Sequence, residues 1–402
     1  MTTVIEQPTT NPSLPFLSAA LLDSFAARAA VYDRENRFFS EDFEDLRAAG
    51  YLRLPIPREF GGHGFTLAEV CREQRRLAYH APATALATNM HLYWMGVAAD
   101  LHHMGDDSMV WMLEEGAAGE VFAAGHGEAG NDVPLMYSSA RAERVDGGYR
   151  FHGRKTFGSL TPVWTRLGIH AMDASDPAAP KVVHAFLRRD ATGYRIEETW
   201  DTLGMRATRS DDTVLDGAFV PDRYVARVLP PDWAGADLFV LTVFAWAECL
   251  FANIYFGLAM RARDLAVAGA GRKTSVANLT RPSMAYHPEV QHAVARIVLE
   301  IEAMGPHADR VAEDWSSRID HGPLWPAKLV AVKHHCTEAA RRVVDLAMDV
   351  SGGAGMFRRN ELERLYRDVR CGTFHPANPA FAHEVLGKTA LGVLGEPGPR
   401  WG

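Results

Sequence analysis

The sequence predicts an α+β protein of three packed units, helical at both ends and β-rich between them. Residues 1–119 are rich in Ala, Leu, Arg and Glu and carry helix-start and helix-stop signals. Residues 120–229 contain short β-rich runs separated by Asp-Gly, Gly-Gly and Pro turn signals. Residues 230–402 return to apolar residues at helical spacing. We therefore expect an N-terminal helical domain, a central β domain and a C-terminal helical domain with these boundaries.

Helix starts are marked most clearly in the first unit. Thr66 and Glu69 have the spacing of a capping box, in which each residue bonds the other's backbone N–H. A short helix is also predicted with Ser40 as its N-cap and Gly50 just past its end.

In the second and third units, turn and helix signals alternate with apolar patterns. The sequence Asp146-Gly147-Gly148 predicts a β-hairpin. His287-Pro288 predicts the start of one long helix, and a second is predicted over residues 324–350, ending at Gly352-Gly353.

Composition excludes several classes of function. The 402 residues are 47% hydrophobic and 23% charged, as in an ordinary soluble globular chain, and the net charge of -8 argues against a nucleic-acid partner. The apolar stretch at 238–250 contains Glu248 and is too short to span a bilayer, and residues 1–15 lack the apolar core of a signal peptide. The four cysteines have no metal or redox spacing, so we predict reduced thiols, no metal site and a cytoplasmic location.

Several short motifs occur in the order found in one known family. They lie at residues 54–64, 122–132, 152–159, 203–208 with 219–221, 346–355 and 366–370. Together they resemble the acyl-CoA dehydrogenase superfamily over nearly the whole chain. The resemblance implies an N-terminal helical domain, a central β-barrel domain and a C-terminal four-helix bundle. It also implies a flavin between the last two domains, in a homotetramer.

The resemblance assigns residues of the β domain to the flavin ring. Phe122, Ala124 and Gly125 match positions that line one face, partly through backbone groups. Phe157 matches an aromatic residue that packs near the ring, and Ser159 matches a hydroxyl that bonds its N5 region. From the sequence alone, Phe157 could equally be a strand core residue and Ser159 a turn residue.

A second set of matches concerns the dinucleotide half of the cofactor. Gly352 and Gly353 match a turn that approaches the flavin of a neighbouring subunit, and Arg272 matches the pyrophosphate arginine. The alternative for the two glycines is a helix C-cap; for Arg272 it is a solvated arginine, with Arg281 as another candidate for the pyrophosphate. Asp349 stands where the family often has Gln, and its charge would repel a pyrophosphate. Because FAD contains a pyrophosphate, the charge of Asp349 argues against tight binding of FAD. The cofactor is therefore predicted as FAD or FMN.

The main departure from the family lies at the catalytic base. A dehydrogenase of this family uses a Glu shortly after the Arg-Asp pair, and here that position falls at or near Pro376. Residues 371–378 contain no carboxylate. Some members place the Glu on an earlier helix, and Glu248 lies near that position. The alternative for Glu248 is a buried structural carboxylate.

His375 predicts different chemistry. Arg-Asp followed by Phe-His-Pro resembles the flavin-dependent monooxygenases of this fold, such as dibenzothiophene monooxygenase. In those enzymes a separate reductase supplies reduced flavin, and a histidine beside the flavin can donate a proton. His91 matches a second histidine that faces the pocket, and Ser159 completes the set. A turn residue at 375 and a core histidine at 91 are the alternatives.

We predict a two-component monooxygenase that uses reduced flavin and O2 to oxygenate an apolar, aromatic small molecule, with a flavin reductase as partner. The first alternative is a dehydrogenase of acyl-CoA or acyl-carrier substrates with Glu248 as its displaced base. The second is a non-catalytic scaffold that keeps the flavin fold.

Overall fold

The computed structural model describes residues 15–131, 135–231, 237–276 and 280–395. It has a helical N-terminal part, a central β sheet and a helical C-terminal part, as the sequence predicts. The prediction about a signal peptide was made for residues 1–15, and residues 1–14 lie outside the described residues.

The N-terminal helices form one wall of the functional site. They are α1 (Ala19–Glu35), α2 (Ser40–Ala48), α3 (Leu67–His80), α4 (Pro82–His103) and α5 (Val110–Ala117). The predicted capping box of Thr66 and Glu69 is present at the start of α3. The N-cap prediction for α2 was wrong by one residue: Ser40 is already helical, and Phe39 occupies the cap without a side-chain hydrogen bond.

The central part is a single eight-stranded sheet. Its strands are β1 (Phe122–Gly125), β2 (Arg141–Val145), β3 (Gly148–Gly158), β4 (Arg166–Asp173), β5 (Lys181–Arg188), β6 (Tyr194–Glu197), β7 (Asp211–Pro221) and β8 (Val225–Leu229). The strand order is β6-β7-β3-β2-β4-β5-β8, with β1 parallel to β4. The β2–β3 hairpin forms where predicted, and Gly147 takes a φ of +74°, which only glycine adopts without strain.

The C-terminal helices are built around one long apolar helix. They are α6 (Leu238–Arg272), α7 (Pro288–Ser316), α8 (Trp325–Ser351), α9 (Glu361–Arg370) and α10 (Pro379–Leu391). Helices α6, α7 and α8 pack on one another, α10 packs on α8, and α6 also contacts α3 and α4. By length and composition α6 could cross a membrane, contrary to the shorter apolar stretch predicted, but 83% of its most apolar window is buried inside the protein.

A close approach of α4 and α6 sets the distance between two walls of the site. A Cβ atom added to Gly96 on α4 would lie 2.3 Å from the ring of Trp246 on α6. The same indole donates from Nε1 to Asp100 Oδ2 over 2.7 Å. Glycine at position 96 is therefore required by packing, since any side chain would push the two helices apart.

Candidate active site

A cavity of about 340 Å³ lies where the three parts of the chain meet. Its lining is mostly apolar and comes from α4, α6, the sheet and the segment after α9. The residues that line it include Met90 and Tyr93 of α4; Val243, Phe244, Ala247, Glu248 and Phe251 of α6; Ala124, His126, Phe157, Ser159, Trp200, Met205, Thr208 and Ser210 of the sheet region; and His375.

His375 is held in the cavity wall by two aromatic side chains of α6. Its ring stacks on Phe251, with centroids 4.7 Å apart and planes 4° apart, and its Nε2 lies 2.8 Å from Tyr255 Oη. Burial, with the charge of Lys333, lowers the pKa of His375 to about 3, so the ring is neutral at pH 7. A neutral ring that accepts the Tyr255 hydroxyl at Nε2 carries its proton on Nδ1 and can donate it.

Glu248 is the one Asp or Glu among the described residues that line the cavity. It is 1% exposed, and its Oε1 accepts a hydrogen bond from the Ala377 N–H over 3.0 Å. Its Oε2 has no partner among the described residues. Burial raises the pKa of Glu248 above its usual range, and the nearby charge of Lys333 opposes that rise. The raised pKa therefore favours the protonated form of the Glu248 carboxyl group.

Lys333 of α8 fixes the segment that carries His375. Its Nζ donates to the backbone oxygens of His375, over 2.9 Å, and of Ala377, over 2.8 Å. These bonds hold the backbone of the segment that carries two groups of the site: the His375 imidazole and the Ala377 N–H, which donates to Glu248.

Neutral hydroxyl groups line the sheet side of the cavity. Ser159 Oγ lies 2.7 Å from Ser210 Oγ, which in turn lies 2.7 Å from Thr208 Oγ1. Thr208 donates to the Met205 backbone oxygen over 2.8 Å, so the three hydroxyl groups form one hydrogen-bonded chain that ends on the backbone. Such a set can bond the polar edge of a flat ring without adding charge to it.

Phe157 presents an aromatic surface beside these hydroxyl groups. Its side chain is 64% exposed, so it is not the core residue that was one reading of the sequence. Its ring meets Trp200 edge to face at 6.0 Å. An exposed aromatic ring next to neutral hydrogen-bonding groups fits a flavin ring, with Phe157, Ser159 and Ser210 as the residues that would hold it.

The structure corrects the prediction that His91 faces the pocket. His91 is 1% exposed and lies outside the cavity lining, since its Nε2 bonds the Leu52 backbone oxygen over 3.0 Å and its Nδ1 accepts the Phe122 N–H over 3.1 Å. Burial lowers its pKa to about 4. With both nitrogens occupied, His91 fixes the start of β1 and has no proton to exchange with a ligand.

Of the three β1 residues predicted to face the flavin, only one lines the cavity. Ala124 lines the cavity, whereas Phe122 and Gly125 are buried outside its lining. Phe122 instead packs in an aromatic cluster with Trp111 and Phe186. The Phe122 side chain therefore packs in the core and stabilises β1 without lining the cavity.

The residues predicted to hold the dinucleotide half lie together but away from the cavity. Arg272 is exposed at the end of α6, and Gly352 and Gly353 are exposed at the end of α8. The Lys273 ammonium donates to the Ser351 backbone oxygen and ties the two ends to each other. Their predicted contact with a neighbouring subunit's flavin stays a prediction.

Sequence reasoning missed three residues of the site: Tyr255, Lys333 and Ser210. A signal existed for Tyr255, because Glu248, Phe251 and Tyr255 follow at i, i+3 and i+7 and so share one face of α6. Lys333 and Ser210 reach the site through the packing of distant segments, which local patterns do not encode.

Family models match both helical parts of the chain. The acyl-CoA dehydrogenase N-terminal domain matches residues 19–109, and the acyl-CoA dehydrogenase C-terminal domain matches residues 239–375. The Bacillus subtilis (strain 168) protein named "Putative acyl-CoA dehydrogenase YdbM" is 31% identical over 89% of this chain and 91% of its own length.

This chain belongs to the acyl-CoA dehydrogenase family. Within the family its relatives include oxygenating enzymes. The amino sugar nitrososynthase DnmZ of Streptomyces peucetius is 30% identical over 92% of this chain and 91% of its own length. Dibenzothiophene monooxygenase of Rhodococcus erythropolis is 26% identical over 89% and 88%. The predicted resemblance to both branches of the acyl-CoA dehydrogenase fold is thus confirmed.

A solved structure supports the same fold and its cofactor class. KijD3 in complex with FMN and dTDP-3-amino-2,3,6-trideoxy-4-keto-3-methyl-D-glucose has a TM-score of 0.81 and 27% identity, covering 96% of this chain and 95% of its own. Relatives of this acyl-CoA dehydrogenase family member are flavin-dependent oxidising enzymes, which confirms the predicted flavin.

Proposed function

We propose that this acyl-CoA dehydrogenase family member is a two-component flavin monooxygenase. A separate reductase delivers reduced flavin, and a small, largely apolar molecule is oxygenated in the cavity. One atom of O2 enters the substrate and the other leaves as water. The bound flavin supplies the two electrons and two protons that this requires. The reductase, the homotetramer and the cytoplasmic location stay predictions.

One observation carries the proposal: the cavity offers neutral hydrogen-bond donors where a dehydrogenase needs an ionised carboxylate. The segment after α9 carries His375, and residues 371–378 contain no Asp or Glu. Glu248 is a poor base at neutral pH, because burial raises the pKa of its carboxyl group. Removal of an α-proton from an acyl thioester would therefore depend on a carboxyl group that is held mainly in its protonated form.

Each polar residue has a role in this reaction. Tyr255 and Phe251 orient the His375 ring, so that Nδ1–H could donate a hydrogen bond to the oxygen atom that becomes water, while the protons of that water come from the reduced flavin. Ser159 and Ser210, whose hydroxyl groups bond each other, would hold the edge of the flavin ring. The apolar side chains of α4 and α6 exclude water and surround the substrate.

The activities named for the relatives support an oxygenating flavoenzyme. Dibenzothiophene monooxygenase and the nitrososynthase DnmZ match most of this chain, and KijD3, which holds FMN, has the same fold. Apolar and aromatic side chains in the cavity favour a substrate with an apolar body.

A dehydrogenase with Glu248 as base is the second candidate. Its support is the position of Glu248 in the cavity wall and the relative named as an acyl-CoA dehydrogenase. The two candidates predict opposite results when an acyl-CoA is added to the oxidised protein.

The test combines two measurements. Under the proposal, butyryl-CoA added without oxygen does not bleach the protein-bound flavin. Chemically reduced FMN with ¹⁸O2 then places one ¹⁸O atom in a product from a panel of small aromatic and amine compounds. Bleaching by butyryl-CoA that Glu248→Gln abolishes would overturn the proposal in favour of the dehydrogenase. Consumption of oxygen with only hydrogen peroxide as product, across the panel, would also contradict it.

A further inference from the structure

The α4 wall of the cavity contains a hydroxyl group that has no partner among the described residues. Leu86, Met90 and Tyr93 follow at i, i+4 and i+7 on this helix, and all three line the cavity. Tyr93 is 4% exposed, and no hydrogen bond between described residues involves its Oη. Unlike Glu248 Oε2, which is closed off, Oη keeps accessible surface. Since Tyr93 is otherwise buried, this surface opens into the cavity that the residue lines.

A second polar group comes from the residue that follows β1. His126 lines the cavity, and its two ring nitrogens likewise keep accessible surface and have no hydrogen-bond partner in the described part of the chain. The Tyr93 and His126 rings both contact the Trp94 indole, with centroids 4.8 and 5.6 Å from it. Two polar groups without protein partners therefore lie around one indole, in a cavity whose walls are mostly apolar.

Both groups are neutral at pH 7. Burial raises the pKa of the Tyr93 phenol above its usual range, so the hydroxyl group keeps its proton. Burial, with the charges of His184 and Lys155, lowers the pKa of His126 well below its usual range. A phenol is a hydrogen-bond donor, and a neutral imidazole has one nitrogen that donates and one that accepts. The pair therefore offers a ligand both a donor and an acceptor without a charge.

Tyr93 and His126 place a requirement on any ligand that fills the cavity. Polar groups in a protein interior usually have a hydrogen-bond partner, which is either a protein group or an ordered water. Water can partner the two residues when no ligand is bound. A ligand that displaces this water must supply the missing partner or bind less tightly.

We propose that Tyr93 Oη and the His126 imidazole form the polar subsite of the cavity and bind an un-ionised oxygen or nitrogen group of an otherwise apolar substrate. This inference rests on the proposed function, because it names the substrate class of that same cavity. The phenol donates to an acceptor on the ligand, and the imidazole accepts a hydrogen from it. A hydroxyl group on the ligand has both functions.

The surrounding residues favour an un-ionised group over an ammonium group. Glu248 is the one Asp or Glu among the described residues that line the cavity, and its raised pKa favours the protonated form. A ligand ammonium group would be buried beside two neutral groups, with no ionised carboxylate in the described lining to pair with it. A hydroxyl group satisfies Tyr93 and His126 without that cost.

Indane, 2-indanol and 2-aminoindane are suitable probes. They share one bicyclic skeleton and carry at the same carbon a hydrogen atom, a hydroxyl group and, at pH 7, an ammonium group. Their dissociation constants would be measured by titration calorimetry with the full chain, without flavin and again with saturating oxidised FMN. The wild type should bind 2-indanol about tenfold more tightly than indane, and 2-aminoindane more weakly than 2-indanol. A wall without polar partners would prefer indane, because a buried hydroxyl group would lose its water and gain nothing.

Tyr93→Phe and His126→Phe remove the polar atoms and keep an aromatic ring against Trp94. Each variant should lower the preference for 2-indanol over indane by about threefold, the effect of one hydrogen bond. The double variant should bring the ratio of the two affinities to one or below. The affinity for indane should stay unchanged in all three variants, which shows that they are folded.

Tyr286→Phe is the matched control, since it makes the same chemical change at a tyrosine that is 52% exposed and lies outside the cavity lining. It should keep the wild-type ratio. Equal binding of indane and 2-indanol to the wild type, tighter binding of 2-aminoindane, or an unchanged ratio in either single variant would each overturn the subsite. A preference that disappears when FMN is bound would assign the two groups to the flavin and would overturn it as well.

The same titrations separate this inference from the proposed function, because the flavin-free titration involves no redox chemistry. If the two variants lose the preference for 2-indanol while ¹⁸O incorporation fails, the subsite stands and the monooxygenase proposal falls. If ¹⁸O incorporation succeeds while the preference is unchanged, the monooxygenase stands and the subsite falls.

Discussion

Tyr255 Oη lies 2.8 Å from His375 Nε2, across the junction between α6 and the segment that follows α9. The two residues are 120 positions apart in sequence. Tyr255 is fully buried and Phe251 stacks on the same imidazole, so the two side chains hold His375 in the cavity wall. The site thus contains a histidine whose ring orientation is set by its neighbours.

This pair leads to the first prediction, which concerns proton donation. His375→Phe keeps the stack on Phe251 and removes the donor, so product formation should fall by about 100-fold or more while hydrogen peroxide release rises. Tyr255→Phe should act in the same direction and less strongly. The measurement is product and peroxide formed per reduced FMN consumed.

A pH profile and a surface control complete that experiment. Since burial lowers the pKa of His375 well below 6.5, the ring is neutral and kcat/KM should show no acid limb near pH 6.5. His292→Phe changes an exposed histidine of α7 and should leave product formation unchanged. An acid limb near pH 6.5 that disappears in His375→Phe would contradict the assignment.

The second prediction concerns acid stability and follows from buried neutral histidines. Burial lowers the pKa of His184 to about 3, and an unfolded histidine titrates near 6.5. Below pH 6.5 the unfolded chain binds more protons than the folded one, so the free energy of unfolding falls as pH falls. At pH 5.5 His184 alone should lower it by about 1.4 kcal/mol relative to pH 7.5.

Urea unfolding of wild type and His184→Leu at pH 7.5 and 5.5 tests this. The loss between the two pH values should be smaller in His184→Leu by about 1.4 kcal/mol. His292→Phe should match the wild type. An equal loss in all three proteins would show that His184 is not the acid-sensitive group.

The third prediction concerns the buried ion pair between Lys155 and Glu128. The Lys155 ammonium bonds Glu128 Oε1, and the two side chains are 1% and 0% exposed. Glu128→Gln leaves the ammonium group without its counter-charge, and the free energy of unfolding should fall by about 3 kcal/mol. Lys155→Met combined with Glu128→Leu should recover most of this loss, because no charge then remains buried. A double variant less stable than Glu128→Gln would contradict the argument.

The fourth prediction concerns the contact between α4 and α6. Gly96→Ala places a methyl group against Trp246, so the helices must separate, at a cost of about 2 kcal/mol, and the cavity between them must change shape. Gly269→Ala is the control, because a Cβ there meets nothing within 4 Å and alanine favours the helix. Equal stability of the two variants would exclude the close approach.

The sequence predicted the order of the three parts, and motif positions led to Ser159, Phe157, Glu248 and His375, which the fold brings to one cavity. It failed at His91 for a physical reason. Helix α4 is buried on almost every side, so its apolar pattern has no polar face that would show which residues point to the cavity. Lys333 was missed because its contacts are with backbone oxygens 42 and 44 residues away.

The wall of the cavity is assembled from residues as far apart as Leu86 and Pro376. During synthesis the sheet, with the hydroxyl groups that would meet the flavin, leaves the ribosome before the segment that carries His375. A nascent chain can therefore offer a flavin-facing surface while it still lacks the imidazole. The hydrogen-bond donor that we propose is added only with the last part of the chain, so under the proposed function the activity would report on completed folding.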